Sequence, residues 1–441
     1  MDIAVKVDQL LNEYMSKESI PGLAVGIVRN HQIIYTKGFG VKNAESKEPL
    51  DEYSLFHMAS VSKTFVAAGI MQLVEQGSIH LDSPVVELLP HFRLHDDRYK
   101  DITIRHLLSH RSAIPNEKDL EWDKPQYEED ALEKYVAGLK DKKLLHKPGE
   151  SFSYSDTAYE ILGEIIAKVS GISFEQYMKD NILNVIGMKE SDFFVPAVSK
   201  ELLTSPHLLY VEGQSGAKVS RIYPYNRIHS PSSTLCSNVV EMCNYAIANI
   251  NQGEFEGQQI LAPGSYSVLW QEEIGTGWGG HTTEMGLSWF LGEYKGYRVM
   301  SHLGGDTGYR AEFMIAPDAG AAVVIMTNSD YVATERICTS ILDIVLGEEP
   351  ADVRKSLAHS LAITMLNHSP QAAFMKYKEI QQHSIEEYII REGEFDDIAS
   401  LWSKEKRNKQ AVDLLKIAID IWPESSTLND RLVKLQHADQ L

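Results

Sequence analysis

The chain opens on a polar stretch in which Val5, Leu10, Leu11 and Met15 recur at helical spacing, so residues 1–15 predict an amphipathic helix. The pattern then changes period. Two apolar, β-rich runs, Gly22 to Arg29 and Ile33 to Gly40, flank Asn30-His31 and predict a tight β-hairpin. From Ser60 the helical period returns, with Phe65, Val66, Ile70, Leu73 and Val74 on one face and Gly77 as the stop. Thr157-Ala-Tyr-Glu160 has capping-box spacing and predicts a further helix starting near Thr157. Late in the chain, Val299–His302, Arg310–Ala316 and Ala321–Asn328 alternate or run apolar as strands. Strands therefore bracket a helical middle, which predicts an α+β fold with one sheet built from both ends and a helical region inserted between. Around Leu346 to Pro350 the pattern changes again, and beyond it nearly every signal is helical. The predicted division is 1–346 and 352–441.

Composition narrows the class. A length of 441 residues allows a large core, and 43% hydrophobic with 24% charged residues is ordinary for a globular protein. The net charge of −20 repels nucleic acid and anionic membranes as general partners. Otherwise it implies only solubility. No run of about 18 apolar residues predicts a membrane span. Cys236, Cys243 and Cys338 are few and lack metal-ligand spacing, so reduced buried thiols are expected. With Met1 followed by no basic-then-apolar leader, a cytoplasmic setting is expected.

The chemistry starts at Ser60-Val-Ser-Lys63. A serine hydroxyl is a weak nucleophile until a base takes its proton, and a lysine three residues on faces the same way. The positive end of the helix dipole would stabilise developing charge on the serine. The motif alone is weak, since Ser215–Lys218 and Ser403–Lys406 share its spacing, though neither is followed by an apolar helix. Its bland alternative is a helix cap with a solvated lysine. Tyr154-Ser-Asp156 adds a hydroxyl that can relay protons, the alternative being a core tyrosine. Gly304, Gly305 and Gly308, after His302, would let a strand approach a substrate closely, or form an ordinary turn.

Four blocks in order resemble the class C β-lactamase-like family. They are Ser60-x-x-Lys63-Thr-Phe, Ile104 to Pro115, Pro148-Gly-x-x-Phe-x-Tyr154-Ser-Asp156 with Tyr-x-Ile-Leu-Gly163, and His302-x-Gly304. The resemblance covers roughly residues 10 to 345 and implies an antiparallel sheet flanked by helices, with a helical subdomain across a cleft. It implies Ser60 as nucleophile, Lys63 as its general-base partner, and Tyr154 as the group that activates Ser60 or protonates the leaving group. The N–H groups of Ser60 and Gly305 would form the oxyanion hole, and Asp156, His302, Gly304 and Tyr309 would contact substrate. No metal or organic cofactor is implied. The activity implied is acyl transfer from an ester or amide (a D-amino-acid peptide or amide, a short ester or a β-lactam), then hydrolysis. A slow penicillin-binding sensor and an acyltransferase are the alternatives on this scaffold. Partners expected are a small-molecule or peptide substrate, without nucleic acid or membrane insertion.

Departures from the family bear on that chemistry. Asp156 stands where Asn is usual; ionised, it would hold Lys63 protonated and shift proton transfer toward Tyr154, the alternative being that it mainly caps the next helix. Ala113 replaces a usual glycine, and Pro231 to Leu235 a glycine-rich stretch. His302 in place of Lys weakens recognition of a β-lactam carboxylate by a fixed cation and favours peptidase or esterase chemistry. Trp278, Trp289 and Tyr309 fall in blocks bordering the site, and Tyr309 is the expected binder. In the C-terminal part, Glu386–Ser400 predicts a helix, and Ala411–Ser425 with Leu428, Leu432 and Leu435 resembles a tetratricopeptide-type repeat turning at Trp422-Pro423. One or two such repeats are too few for a free solenoid, so a docked stabilising extension or a surface for a protein partner or self-association is expected.

Overall fold

The computed structural model describes residues 2–117, 119–209, 216–404 and 406–438. The look-alike motif at Ser215 lies outside the described residues. Contacts divide the chain into two units, residues 1–4, 21–207 and 220–350, and residues 5–20, 208–219 and 351–441.

The first unit is built on an eight-stranded antiparallel sheet. Its strands are β1 (Gly22–Arg29), β2 (Gln32–Gly40), β3 (Ile274–Gly275), β4 (Thr282–Met285), β5 (Phe290–Tyr294), β6 (Tyr297–Asp306), β7 (Tyr309–Ala316) and β8 (Ala321–Thr327). They lie in the order β2-β1-β8-β7-β6-β5-β4-β3, so the two ends of this unit meet where β1 pairs with β8, Leu23 opposite Thr327. Asn30 and His31 both take positive φ (51° and 62°), the type I′ geometry that the β1–β2 hairpin requires.

Helices cover both faces of the sheet. The chain's first helix is α1 (Ile3–Glu18); α2 (Ser62–Glu75), α3 (Asp156–Ser170), α4 (Val239–Ile250) and α5 (Thr334–Leu346) follow. On β8, Ala322, Val324 and Met326 join the large core that includes Phe65, Ile70 and Leu73 of α2 and Met242 and Ala246 of α4. Val323 and Ile325 point the other way, toward α5, which packs on that strand. Helix α2 is buried almost all round, and Gly77 follows its end with φ +70°. A helix buried on all sides positions its polar residues rigidly, and Lys63 is among them.

Helix α3 begins differently from the capping-box reading. Its cap is Ser155, whose hydroxyl accepts from Ala158 N, and Thr157 and Glu160 are both buried inside the helix. The competing signal was the serine two residues upstream.

The second unit is helical: α6 (Leu357–Asn367), α7 (Pro370–His383), α8 (Glu392–Lys404), α9 (Asn408–Ile421) and α10 (Ser426–Ala438), in which α6 packs on α7 and α9 packs on both α8 and α10. Residues 5–20 belong to this unit, not to the sheet unit in which the division 1–346 placed them. Val7, Leu10, Leu11 and Tyr14 supply the buried face, while the Glu18 carboxylate accepts from Ser356 N (3.3 Å) and faces His359 (3.4 Å). An amphipathic pattern states that a helix buries one face, not which partner covers it. Among the described residues no helix is long and apolar enough to cross a membrane.

Candidate active site

Ser60 sits in a single 3₁₀ turn, Ala59–Val61, that leads into α2. Ala59 is held at φ +47°, a backbone state that costs an alanine energy and persists only when its surroundings impose it. Those surroundings are visible. Met58 N donates to Leu235 O at 2.8 Å, and β6 lies so close that a Cβ on Gly304 would be 2.2 Å from Met58 O. Only glycine fits there, so the His302–Gly305 strand end lies directly against the Ser60 turn.

Lys63 is completely buried. Its ammonium donates to Ser60 Oγ at 2.9 Å and Ser232 O at 2.8 Å, and it pairs with Asp156 Oδ1 at 2.7 Å. The rings of Tyr154 and Tyr159 lie 5.1 and 5.5 Å from it. Burial alone would drive its proton off, but the Asp156 charge and the neighbouring Tyr154 outweigh that and hold the amine protonated, well above the ordinary lysine range. Burial likewise opposes the Asp156 carboxylate, yet Lys63 and the Asn116 side chain keep its pKa lowered. Asp156 thus occupies the first turn of α3 as the counter-ion of Lys63. Its own N–H donates to Asn116 Oδ1 at 2.8 Å.

The Tyr154 ring lies beside the Lys63 ammonium, its centroid 5.1 Å away. Burial pushes the phenol pKa up while Lys63 opposes the rise, so Tyr154 is a neutral phenol at rest. Its ring stacks on His110 at 4.2 Å, and His110 Nδ1 accepts from Ser155 N at 3.1 Å. Desolvation keeps that imidazole neutral. Ala113, where the family's glycine was expected, keeps a glycine-like φ of +63°.

His302 lies on the wall formed by β6, packed edge-on to Phe290 at 5.3 Å. Desolvation and the nearby Lys63 charge push its pKa down to about 3, so it is neutral. Nδ1 lies 2.7 Å from Leu303 O, which makes Nδ1 the protonated nitrogen and leaves Nε2 with an unpartnered lone pair. Gly305 pairs with Arg310 across β6–β7, so strand alternation puts the guanidinium on the opposite face of the sheet from His302.

Of the residues expected to form the site, Ser60, Lys63, Tyr154 and Asp156 are brought into direct contact, and His302, Gly304 and Gly305 border them on one strand. Tyr309 is not a cleft residue. It is fully buried, donates its hydroxyl to Thr204 O, and packs against His57 and Tyr223. Trp289 is likewise core. The aromatic that does border the site is Trp278, 46% exposed, 6.0 Å from the Tyr154 ring and stacked on Phe290. Sequence position alone could not separate these three rings, because all lie near glycine turns or strand ends.

Several contributors carried no sequence signal. Ser232 acts through its backbone carbonyl, which side-chain chemistry does not announce. His57 Nε2 lies 2.8 Å from Asp306 Oδ2, to which Ser233 also donates. Among the described residues one group could hold a cation, His91, Glu133 and Glu164, with ligand atoms within 4.8 Å of one another. It shares no residue with the Ser60 cluster, and Glu133 is already paired with Lys168 at 2.9 Å.

The chain that carries this serine–lysine–tyrosine cluster has relatives among known proteins. Residues 7–343 match the family model described as Beta-lactamase. Protein flp of Staphylococcus aureus (strain MW2) is 31% identical over 193 residues, 44% of this chain and 39% of the relative, so the chain matches about two fifths of that protein's length. Penicillin-binding protein 4* of Bacillus subtilis (strain 168) is 27% identical over 344 residues, covering 73% of each. The octameric penicillin-binding protein homologue from Pyrococcus abyssi superposes with a TM-score of 0.71 at 27% identity, over 79% of this chain and 78% of its own. A family match across most of the chain, a shared fold and a serine–lysine pair at its helix start converge: this protein belongs to the beta-lactamase family of serine hydrolases.

Proposed function

We propose that the protein hydrolyses esters or amides through an acyl-enzyme on Ser60, and that it handles carboxylate-bearing β-lactams poorly. One observation carries this reading: the Lys63 ammonium reaches Ser60 Oγ at 2.9 Å while its charge is balanced by Asp156 at 2.7 Å. The nucleophile is therefore positioned, and attack builds negative charge beside a cation in a desolvated setting, where electrostatic stabilisation is strongest. The backbone of Ser60 and Gly305 is the oxyanion hole in this proposal.

All three ammonium protons of Lys63 have acceptors, in Ser60, Ser232 and Asp156, so at rest the lysine has no lone pair for the serine proton. Ser60 can therefore lose its proton only in the form of the site that has first released one proton to solvent, in which Tyr154 as phenolate or Lys63 as amine takes the serine proton and later returns it to the leaving group. Substrate preference follows from the wall. His302 is neutral and Lys63 already paired, so neither supplies a free cation for a substrate carboxylate. Trp278, backed by the buried Phe290, offers an apolar surface suited to an acyl or aromatic group. The three cysteines described are buried free thiols, which supports a reducing compartment.

Turnover of D-amino-acid amides, short-chain p-nitrophenyl esters and a labelled penicillin, measured side by side, tests the reading. Ester or amide turnover is expected to exceed penicillin turnover, and Ser60→Ala to reduce all three to background. Faster hydrolysis of penicillin than of either other class would sink the substrate assignment; wild-type activity in Ser60→Ala would sink the nucleophile.

A further inference from the structure

Lys63 is held by three acceptors, and only two of them are explained by the chemistry above. The third, the carbonyl of Ser232, belongs to a four-residue helical turn, Ser230–Ser233, placed 2.8 Å from the ammonium. A turn this short has little stability of its own, because nucleating a helix fixes many dihedrals for one or two hydrogen bonds. Something else must fix the direction of that carbonyl.

The anchors are side chains. Ser232 Oγ donates to Glu160 Oε1 at 2.7 Å, and His229 Nδ1 lies 2.8 Å from the same oxygen. Glu160 is fully buried, and its other oxygen, Oε2, has no partner. A carboxylate in that position is costly to bury, and an apolar side chain would fill the space more cheaply. Both of its contacts go to the segment that presents the Ser232 carbonyl. Helix α3 places Glu160 one turn after Asp156, so both carboxylates share a face. Asp156 touches the ammonium directly, whereas Glu160 reaches it only through Ser232.

We propose that Glu160 is a positioning residue for the Ser60–Lys63 pair, fixing through Ser232 Oγ the carbonyl that aims the Lys63 ammonium at the nucleophile. The inference rests on the reading of Ser60 as nucleophile. Loss of the anchor lets the turn shift, and misplacement of a catalytic group by about 1 Å costs roughly 100-fold in rate.

The experiment is the rate of Ser60 acylation, read as the p-nitrophenyl acetate burst and as fluorophosphonate labelling, in the full-length protein. Glu160→Ala is expected to slow acylation by about 100-fold with KM unchanged. Glu160→Gln should recover most of the rate, because its amide oxygen still accepts from Ser232 Oγ without the charge. Ser232→Ala should reproduce Glu160→Ala, and the double variant should be no slower than either. If Glu160→Ala fails to fold, Glu160→Gln and Ser232→Ala still decide. The proposal is overturned if Ser232→Ala acylates at the wild-type rate, or if Glu160→Gln is as slow as Glu160→Ala. Failure of the underlying reading looks different: fluorophosphonate labelling would then persist in Ser60→Ala.

Discussion

At the scale of single residues, the position that most changes the chemistry is Asp156. An asparagine there would offer Lys63 a neutral partner; the aspartate binds it as an ion pair at 2.7 Å and leaves the lysine protonated. The charge acts on both candidate proton acceptors, since Asp156 raises the proton affinity of Lys63 and of Tyr154. Removing it lowers both, so the base form is populated at lower pH. In Asp156→Asn the ascending limb of kcat/KM is therefore expected to move toward acid, measured against the wild type on the same ester. An unmoved limb would show that Asp156 does not set the protonation of the base. His302 illustrates the opposite case. Its neutrality comes from burial and from the Lys63 charge, neither of which is visible in its immediate sequence.

At the scale of elements, the site depends on where three segments touch: the Ser60 turn, the start of α3, and the Ser230–Ser233 turn. The last is pressed against α3 at Gly163, where a Cβ would lie 2.1 Å from Pro231 Cγ. Two effects compete in Gly163→Ala. Alanine gains about 1 kcal/mol of helix propensity over glycine, whereas overpacking a core costs about 1–3 kcal/mol. A contact as short as 2.1 Å cannot relax without moving the turn, so the clash is expected to win. Gly163→Ala should lower Tm and, by displacing the Ser232 carbonyl from Lys63, lower kcat as well. An unchanged Tm together with wild-type kcat would mean that the turn moves freely.

At the scale of the molecule, the helix that begins the chain belongs with the helices that end it. Residues 5–20 are grouped with residues 351–441, and Val7, Leu10, Leu11 and Tyr14 of α1 are buried. A chain ending at Pro350 but keeping α1 is therefore expected to expose Val7, Leu10, Leu11 and Tyr14, to bind the dye ANS and to aggregate. Removing residues 1–20 as well should relieve the dye binding. Equal dye binding by both truncated chains would place the buried face of α1 elsewhere.

Local pattern determined the elements and singled out side chains that the fold brings together. The periods of 2 and 3.6 are written into successive residues, so the hairpin at Asn30-His31, the helix after Ser60 and the late strands were legible without coordinates. The order of the four blocks, through the family resemblance it carries, did the same for Ser60, Lys63 and Tyr154, which the fold then gathers around one point. What the tertiary structure alone decided was environment. Whether Lys63 is charged, whether His302 is a cation, and whether Tyr309 or Trp278 faces the cleft all depend on burial and on neighbours distant in sequence. The same holds for Ser232, whose contribution is a backbone carbonyl that every residue type possesses. Desolvation, long-range charge and the aim of a main-chain group arise only when the chain is folded, and they settle how the predicted residues share the proton.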